Sequence, residues 1–388
     1  MDEIGIYLSP VADFLEDSYE SYQLGSKIKA YREELPELGN AKLAIIGVME
    51  DRGAHRNDGC SYGADRIRQF LYELSEGESF PDIVDVGNIR PGATIEDTFH
   101  AFSKTIEFLI KKNVIPVILG GSQDLTFANY LAYQNLESIV NLVSIDARFD
   151  LGEKLEAPLN SRTYLSKILT HQPNFLFNYT NIGYQTYFVS QEVLDLMDKL
   201  YFDSMRLGLV RSNMQEVEPK IRNADIVSFD LGAIKASDAP GNKNATPNGL
   251  TSDECCQITR YAGLSDKLSS IGFYEYNPEF DPYGNTAHLV AQMIWYFIEG
   301  VKGRKNDVPS DAEPNYLKYR VTLDGDENEL LFYKSVVTDR WWMNVPFPVS
   351  KGNRFRRHEM VPCSYKQYQE ACNNEMPELW LKTYQKML

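Results

Sequence analysis

Short runs of apolar, often β-branched residues bounded by Gly, Asp or Asn alternate along this chain with longer stretches whose apolar positions recur every three to four residues. The runs fit buried strands and the longer stretches fit amphipathic helices. Their alternation is the signature of βαβ units around a mainly parallel sheet covered on both faces. It predicts about eight strands, near 43–48, 83–86, 114–119, 139–145, 175–182, 207–210, 226–230 and 271–276. Helices are predicted over 64–74, 95–111, 125–136, 191–200, 252–262 and 286–300. Residues 1–40 read as a helical lead-in. After about residue 304 the alternation stops at Asp311-Ala-Glu-Pro-Asn, and residues 305–388, with Trp341-Trp342 and a candidate helix over 365–373, read as an appendage that packs on the core or at a subunit contact.

Composition narrows the partners. The chain has 388 residues, 43% of them hydrophobic, and a formal net charge of -16. That charge argues against nucleic acid and anionic membrane, which require clustered Lys and Arg. The one basic run, from Lys351 to His358, is short and reads as a solvated loop. Five cysteines without CxxC spacing, an acidic Met1-Asp-Glu start and the lack of a long apolar run predict a reduced, cytoplasmic protein.

In open parallel sheets, ligands bind beyond the carboxyl ends of the strands. Three segments fall there: Val117-Ile-Leu-Gly-Gly-Ser-Gln-Asp124, Ser144-Ile-Asp-Ala-Arg-Phe-Asp150 and Ser228-Phe-Asp-Leu-Gly232. Singly, each has a bland explanation, because Gly-Gly after a strand is usually a tight turn and an aspartate at a strand end is often a cap. Jointly, in this order, they resemble the metal-binding motifs Gly-Gly-Asp-His-Ser, Asp-Ala-His-x-Asp and Ser-Phe-Asp-x-Asp of the arginase/agmatinase/formimidoylglutamase (ureohydrolase) family. The stretch Gly59-Cys-Ser-Tyr-Gly-Ala-Asp-Arg-Ile-Arg68 resembles the family's entry to its first helix, departing at Ser61 and Ala64. Tyr274-Glu-Tyr-Asn-Pro278, followed by Asp281, resembles its Glu-x-Asn-Pro-x-x-Asp. The resemblance spans about residues 40 to 300.

The resemblance implies a three-layer α/β/α arginase-like domain over 41–304, with an eight-stranded mainly parallel sheet. It also implies a site for two manganese ions that activate one water. Here Gln123, Arg148 and Gly232 stand where two histidines and an aspartate are expected, and Asp146, Asp150 and Asp230 remain. By resemblance, Gln123, Asp146, Asp150 and Asp230 make an oxygen-rich nest for one manganese at most, and a two-metal centre is not expected. Arg148 brings a fixed charge to the vacated position, where pairing with Asp146 or Asp230 is expected. Asp150 and Glu275 carry over as catalytic candidates, and Glu275 with Asn160 and Ser161 as substrate-binding ones. Arg162 occupies a place where relatives carry Gly or His.

Other chemistry finds little purchase. His55 is the one histidine whose loop should border the crevice. Cys255-Cys256, at a predicted helix start, suits a lowered thiol pKa in one reading and core packing in another. No nucleophile elbow, Walker A run, dinucleotide loop or zinc spacing is present. Two functions follow. The first is a ureohydrolase-fold protein without dinuclear-manganese amidine hydrolysis, a pseudoenzyme with a binding or assembly role. The second is a formimidoylglutamase- or agmatinase-like hydrolase of a linear amidine C–N bond using one metal or an altered centre. The small-molecule partner is an amidine or guanidine if the protein is active, and a homo-oligomer is expected from the family.

Overall fold

The structure is a computed structural model that describes residues 1–388 apart from 14, 16, 17, 153–156, 310–314, 325–328 and 349–353. Most of the predicted break at Asp311 and the start of the basic run at Lys351 therefore lie outside the described residues.

Eight parallel strands form the body of the main sheet: β3 (Leu43–Val48), β4 (Ile83–Ile89), β5 (Ile115–Leu119), β6 (Val140–Ile145), β7 (Leu176–Tyr184), β8 (Asp203–Arg206), β9 (Ile226–Asp230) and β10 (Ser270–Tyr274). Two short strands, β1 (Leu8–Ser9) and β2 (Lys29–Ala30), both pair with β4 and raise the count to ten. The order is β1-β4-β3-β5-β10-β9-β6-β7-β8, with β2 off this path and only β1 antiparallel. Strands β3, β6, β9 and β10 are buried along their whole length, as expected of strands with helices on both faces.

Helices α2 (Gly63–Glu73), α7 (Leu207–Ser212), α8 (Val217–Arg222), α9 (Ser252–Leu264) and α10 (Asn285–Lys302) share one apolar core. Helices α3 (Ile95–Lys111), α4 (Leu125–Asn135), α5 (Tyr164–Thr170) and α6 (Gln191–Lys199) share the other. The expected three layers are present.

Two expectations fail. Among the described residues the lead-in has α1 (Asp2–Gly5) and one 3-10 turn at Leu24–Ser26 rather than a continuous helix, because Pro10, Gly25 and Pro36 break any helical period and the chain joins the sheet edge instead. Residues 207–210 are helical, and the strand lies just before them at β8. A four-residue apolar run does not separate strand from helix, and β8 is a polar edge strand with Met205 as its one buried side chain.

Beyond α10 the chain builds a separate antiparallel sheet from β11 (Tyr316–Thr322), β12 (Glu329–Ser335), β13 (Trp341–Asn344) and β14 (Met360–Cys363), with α11 (Tyr365–Cys372) and α12 (Glu378–Met387). Leu330, Phe332, Trp341, Met343 and Val361 form its core. It docks on the starts of β7 and β9. Lys386 donates to Asn178 at 2.5 Å, Arg357 pairs with Asp225 at 2.7 Å, and His358 stacks on Phe177 at 4.0 Å. The three motifs lie at the other ends of the strands. Trp341 and Trp342 are buried within this one chain, so they need no second subunit to cover them.

Candidate active site

The crevice is assembled by loops that leave β3, β5, β6, β9 and β10. At the first motif, Gly121 is required by close approach: a Cβ there would sit 1.7 Å from the carbonyl oxygen of Glu50. That contact turns the chain so that the backbone N–H of Gln123 reaches Glu275 Oε1 at 2.9 Å. The other carboxylate oxygen of Glu275 accepts from Asn57 Nδ2 at 2.8 Å. Asp150 and Glu275 both have positive φ, at 49° and 69°. Such strain on residues other than glycine persists only where the surroundings hold it, and it clusters at functional sites.

Asp146, Asp150 and Asp230 offer carboxylate oxygens that all lie within 4.8 Å of one another, and all three are buried. One oxygen of each has a partner. Asp146 Oδ1 accepts from the Arg148 N–H at 2.9 Å, Asp230 Oδ1 from the Gly232 N–H at 2.6 Å, and Asp150 Oδ1 from Arg162 Nη1 at 3.1 Å. Asp146 Oδ2 and Asp150 Oδ2 are buried without a hydrogen bond. So is Gln123 Oε1, while Gln123 Nε2 donates to Ser228 at 2.8 Å. Buried polar atoms are rarely left this way, so the orphaned oxygens of Asp146 and Asp150 within a carboxylate cluster suit a bound cation.

Electrostatics agree. Burial raises Asp146 well above the usual carboxylate range, helped by Asp150 and Asp230. Burial raises Asp230 to about 6, with Arg162 opposing. Glu275 is pushed up to about 8, first by burial and then by Asp230. These are carboxylates in need of positive charge.

Part of that charge comes from Arg162. Arg148 does not form the expected ion pair with Asp146 or Asp230. Its guanidinium lies 3.8 Å above the Phe188 ring and bonds weakly to the Phe188 carbonyl at 3.4 Å. A cation–π contact with an aromatic face competes well with a carboxylate already capped by backbone N–H groups.

Two cavities adjoin. The inner one, about 20 Å³, is walled by Asp146, Ser161, Asp230, Gly232, Asn242 and Glu275. It holds little more than a water or an ion. The outer one, about 520 Å³, is walled by His55, Arg56, Phe149, Asp150 and Val189. Arg148, Arg162, Phe188 and Asn244 line both and form the neck between them.

Of the residues expected to bind substrate, Glu275 and Ser161 reach the inner cavity. Asn160 shapes its loop, accepting from the Arg162 N–H at 2.8 Å. His55 stands at the outer mouth, with its pKa lowered by burial. Cys255 and Cys256 play no part, because burial pushes both thiols up, Cys256 to about 11. Asn57 and Asn242 carry no motif signal and three-dimensional closeness alone reveals them, whereas Arg162 is visible beside Asn160-Ser161 but its pairing with Asp150 is not.

Residues 41–299 match the model of the arginase family. The chain is 24% identical over 269 residues to the formimidoylglutamase of Staphylococcus haemolyticus, covering 66% of this chain and 85% of that protein. It is 25% identical over 270 residues to that of Staphylococcus aureus, covering 66% and 86%. The fold superposes on Trypanosoma cruzi formiminoglutamase with Mn2+ at a TM-score of 0.65 and 21% identity, covering 73% of this chain and 99% of that one. It superposes on Bacillus subtilis formimidoylglutamase at 0.66 and 20%, covering 75% and 97%. Among the described residues no helix is long and apolar enough to cross a membrane. Three motif-bearing loops converging on one buried carboxylate cluster, within a fold and a sequence profile that agree, make this chain a member of the arginase family.

Proposed function

We propose that the protein hydrolyses a C–N bond of a linear amidine, in the manner of the formimidoylglutamases it is similar to, with one divalent cation in place of two. The orphaned oxygens of Asp146 and Asp150 beside Asp230 carry this reading. Their all-oxygen donor set suits a hard ion such as manganese. Four carboxylates, with Glu275 included, face two guanidinium groups in and around the inner cavity. Fully ionised, they fall short of neutrality by two positive charges, which one divalent ion supplies.

When bound, such an ion would lower the pKa of water and stabilise negative charge on the oxygen that adds to the amidine carbon. The chain's own residues do the rest. Glu275, held by Gln123 and Asn57, takes an N–H of the amidine. Asp150, fixed by Arg162, accepts the proton that water loses on attack and returns it to the leaving nitrogen, so that an amide and an amine depart. Arg148, Arg162 and Phe188 at the neck exclude bulk water.

A second reading, a binding protein without turnover, is favoured by the narrowness of that neck and of the inner cavity. The deciding measurement is product release from N-formimidoylglutamate, agmatine, guanidinobutyrate and arginine with added Mn2+, with Asp230→Asn as control. Hydrolysis by the wild type that Asp230→Asn abolishes supports the enzyme. No release from any of the four supports the binding protein.

A further inference from the structure

At the opposite end of the sheet, where the C-terminal sheet meets the family domain, lies a cavity of about 270 Å³. Its apolar wall is Trp342, Met360, Pro362 and Val308. Its polar wall holds three atoms without a hydrogen bond, Arg222 Nη1, Asp266 Oδ1 and Asp307 Oδ1, together with Asn223 and the cations Lys267 and Arg357, which pair with Asp225 at 3.7 and 2.7 Å. Arg222 and Asp307 are each only 5% exposed.

These atoms are held in place by their neighbours. Arg222 lies 4.4 Å over the Trp342 ring, with Nε on Glu218 at 2.9 Å and Nη2 on the carbonyl of Trp341 at 3.1 Å. Asp266 Oδ2 accepts the Asp307 N–H at 3.2 Å, and Asp307 Oδ2 accepts from Thr338. Arg340 stands 3.6 Å from Asp307 Oδ1, an ion pair beyond hydrogen-bond reach. The unfilled valences are therefore one cationic donor and two anionic acceptors, fixed around an aromatic wall.

We infer that this seam binds a free α-amino acid with an apolar or aromatic side chain. Its carboxylate takes Arg222, its ammonium takes Asp266 and Asp307, and its side chain lies against Met360, Pro362 and Val308. Lys267 and Arg357 are taken up by Asp225, so a simple carboxylate would leave the two acidic oxygens unmet and a simple amine would leave a buried guanidinium N–H unsatisfied; a ligand with both groups meets all three. The volume exceeds the roughly 150 Å³ of a cavity that takes benzene and falls near the lower end of ligand pockets, roughly 300 Å³, as an amino acid requires. The inference does not rest on the proposed hydrolysis, because the crevice lies at the far ends of the strands.

The test is calorimetric titration of the full chain with L-phenylalanine, L-leucine and L-methionine, alongside 3-phenylpropionate and phenethylamine, with tryptophan fluorescence as a second readout. At least one amino acid binds, and the acid and the amine each bind at least about tenfold more weakly. Asp266→Asn and Asp307→Asn keep an oxygen for their internal donors, and either weakens amino-acid binding about tenfold or more while leaving 3-phenylpropionate no weaker. Silence from all three amino acids overturns the inference. So does binding that both variants retain, or binding that is lost in Asp230→Asn, which would place it in the crevice.

Discussion

Arg162 and Asp150 form an ion pair across the mouth of the carboxylate cluster, Nη1 to Oδ1 at 3.1 Å, with the Asp150 side chain 1% exposed and that of Arg162 26%. The guanidinium nearer in sequence, Arg148, is turned onto Phe188 instead. The charge that offsets the cluster therefore enters from a loop rather than from the motif itself.

Removing one partner of a buried pair leaves an uncompensated charge, which typically costs about 3 to 5 kcal/mol. Arg162→Met should cost about 3 kcal/mol, toward the lower end because its side chain is partly solvated. Arg148→Met loses a stacking contact worth about 1 kcal/mol or less. Urea unfolding of the two variants checks the order. A larger loss for Arg148→Met would mean that Arg148 carries the pairing.

Divalent cations should stabilise the protein, and more so as pH rises. Asp230 and Glu275 have folded pKa values raised to about 6 and about 8, so the metal-free folded state holds more protons than the unfolded chain above about pH 4. Metal-free stability then falls as pH rises through that window, because mutual repulsion grows as these groups ionise. A bound cation removes the repulsion. The gain in melting temperature on adding Mn2+ should be greater at pH 8 than at pH 5.5, at one ion per chain by elemental analysis. An equal gain at both values would show that the cation binds elsewhere.

The body of the fold is legible in the sequence because buried parallel strands are short continuous apolar runs, and those of β3, β5, β6 and β9 stand out. Strands β1 and β2, of two residues each, have no period to read. At the site, Asp146, Asp150, Asp230 and Glu275 are legible because their motifs keep fixed spacing. Asn57 is not, since its bond to Glu275 spans 218 positions. Arg162 stands beside a recognisable Asn160-Ser161, but its role depends on how the loop folds back on Asp150. The two guanidinium groups look interchangeable in a linear reading, and only packing against Phe188 separates them.

The stability of the C-terminal junction should depend on pH through His358. The ring is buried against Phe177, and burial together with the neighbouring Lys267 and Arg357 holds its pKa well below the usual value. A depressed folded pKa means that the unfolded state takes up the proton first, so this contribution is complete above about pH 6.5 and is lost as pH falls below it. His358→Phe keeps a ring for the stack and cannot be protonated. Urea midpoints between pH 7.5 and 5 should fall more steeply for wild type than for the variant, and parallel slopes would remove His358 from the account.

The last expectation concerns Gly232, which stands where the family resemblance implies an aspartate. A Cβ on Gly232 would stand 3.0 Å from Asp230 Oδ1 and 3.4 Å from Asn242 Nδ2, so an aspartate there needs a shift of only a few tenths of an ångström. Asn242 Nδ2 is buried without a partner, and the new carboxylate gives it one. Like charge beside Asp230 opposes that gain. Gly232→Asp alone should therefore lower metal-free stability by about 1 to 2 kcal/mol and regain it with Mn2+. Combining it with Gln123→His and Arg148→His restores two nitrogen donors and removes the guanidinium from the neck. This triple variant should bind two manganese ions where wild type binds one. Activity follows only if groups such as Asn57 and Arg162 still position the substrate, so stoichiometry by elemental analysis is the informative readout. A single ion in both proteins would mean that the Arg162–Asp150 pair, rather than the three replaced ligands, closes the second position.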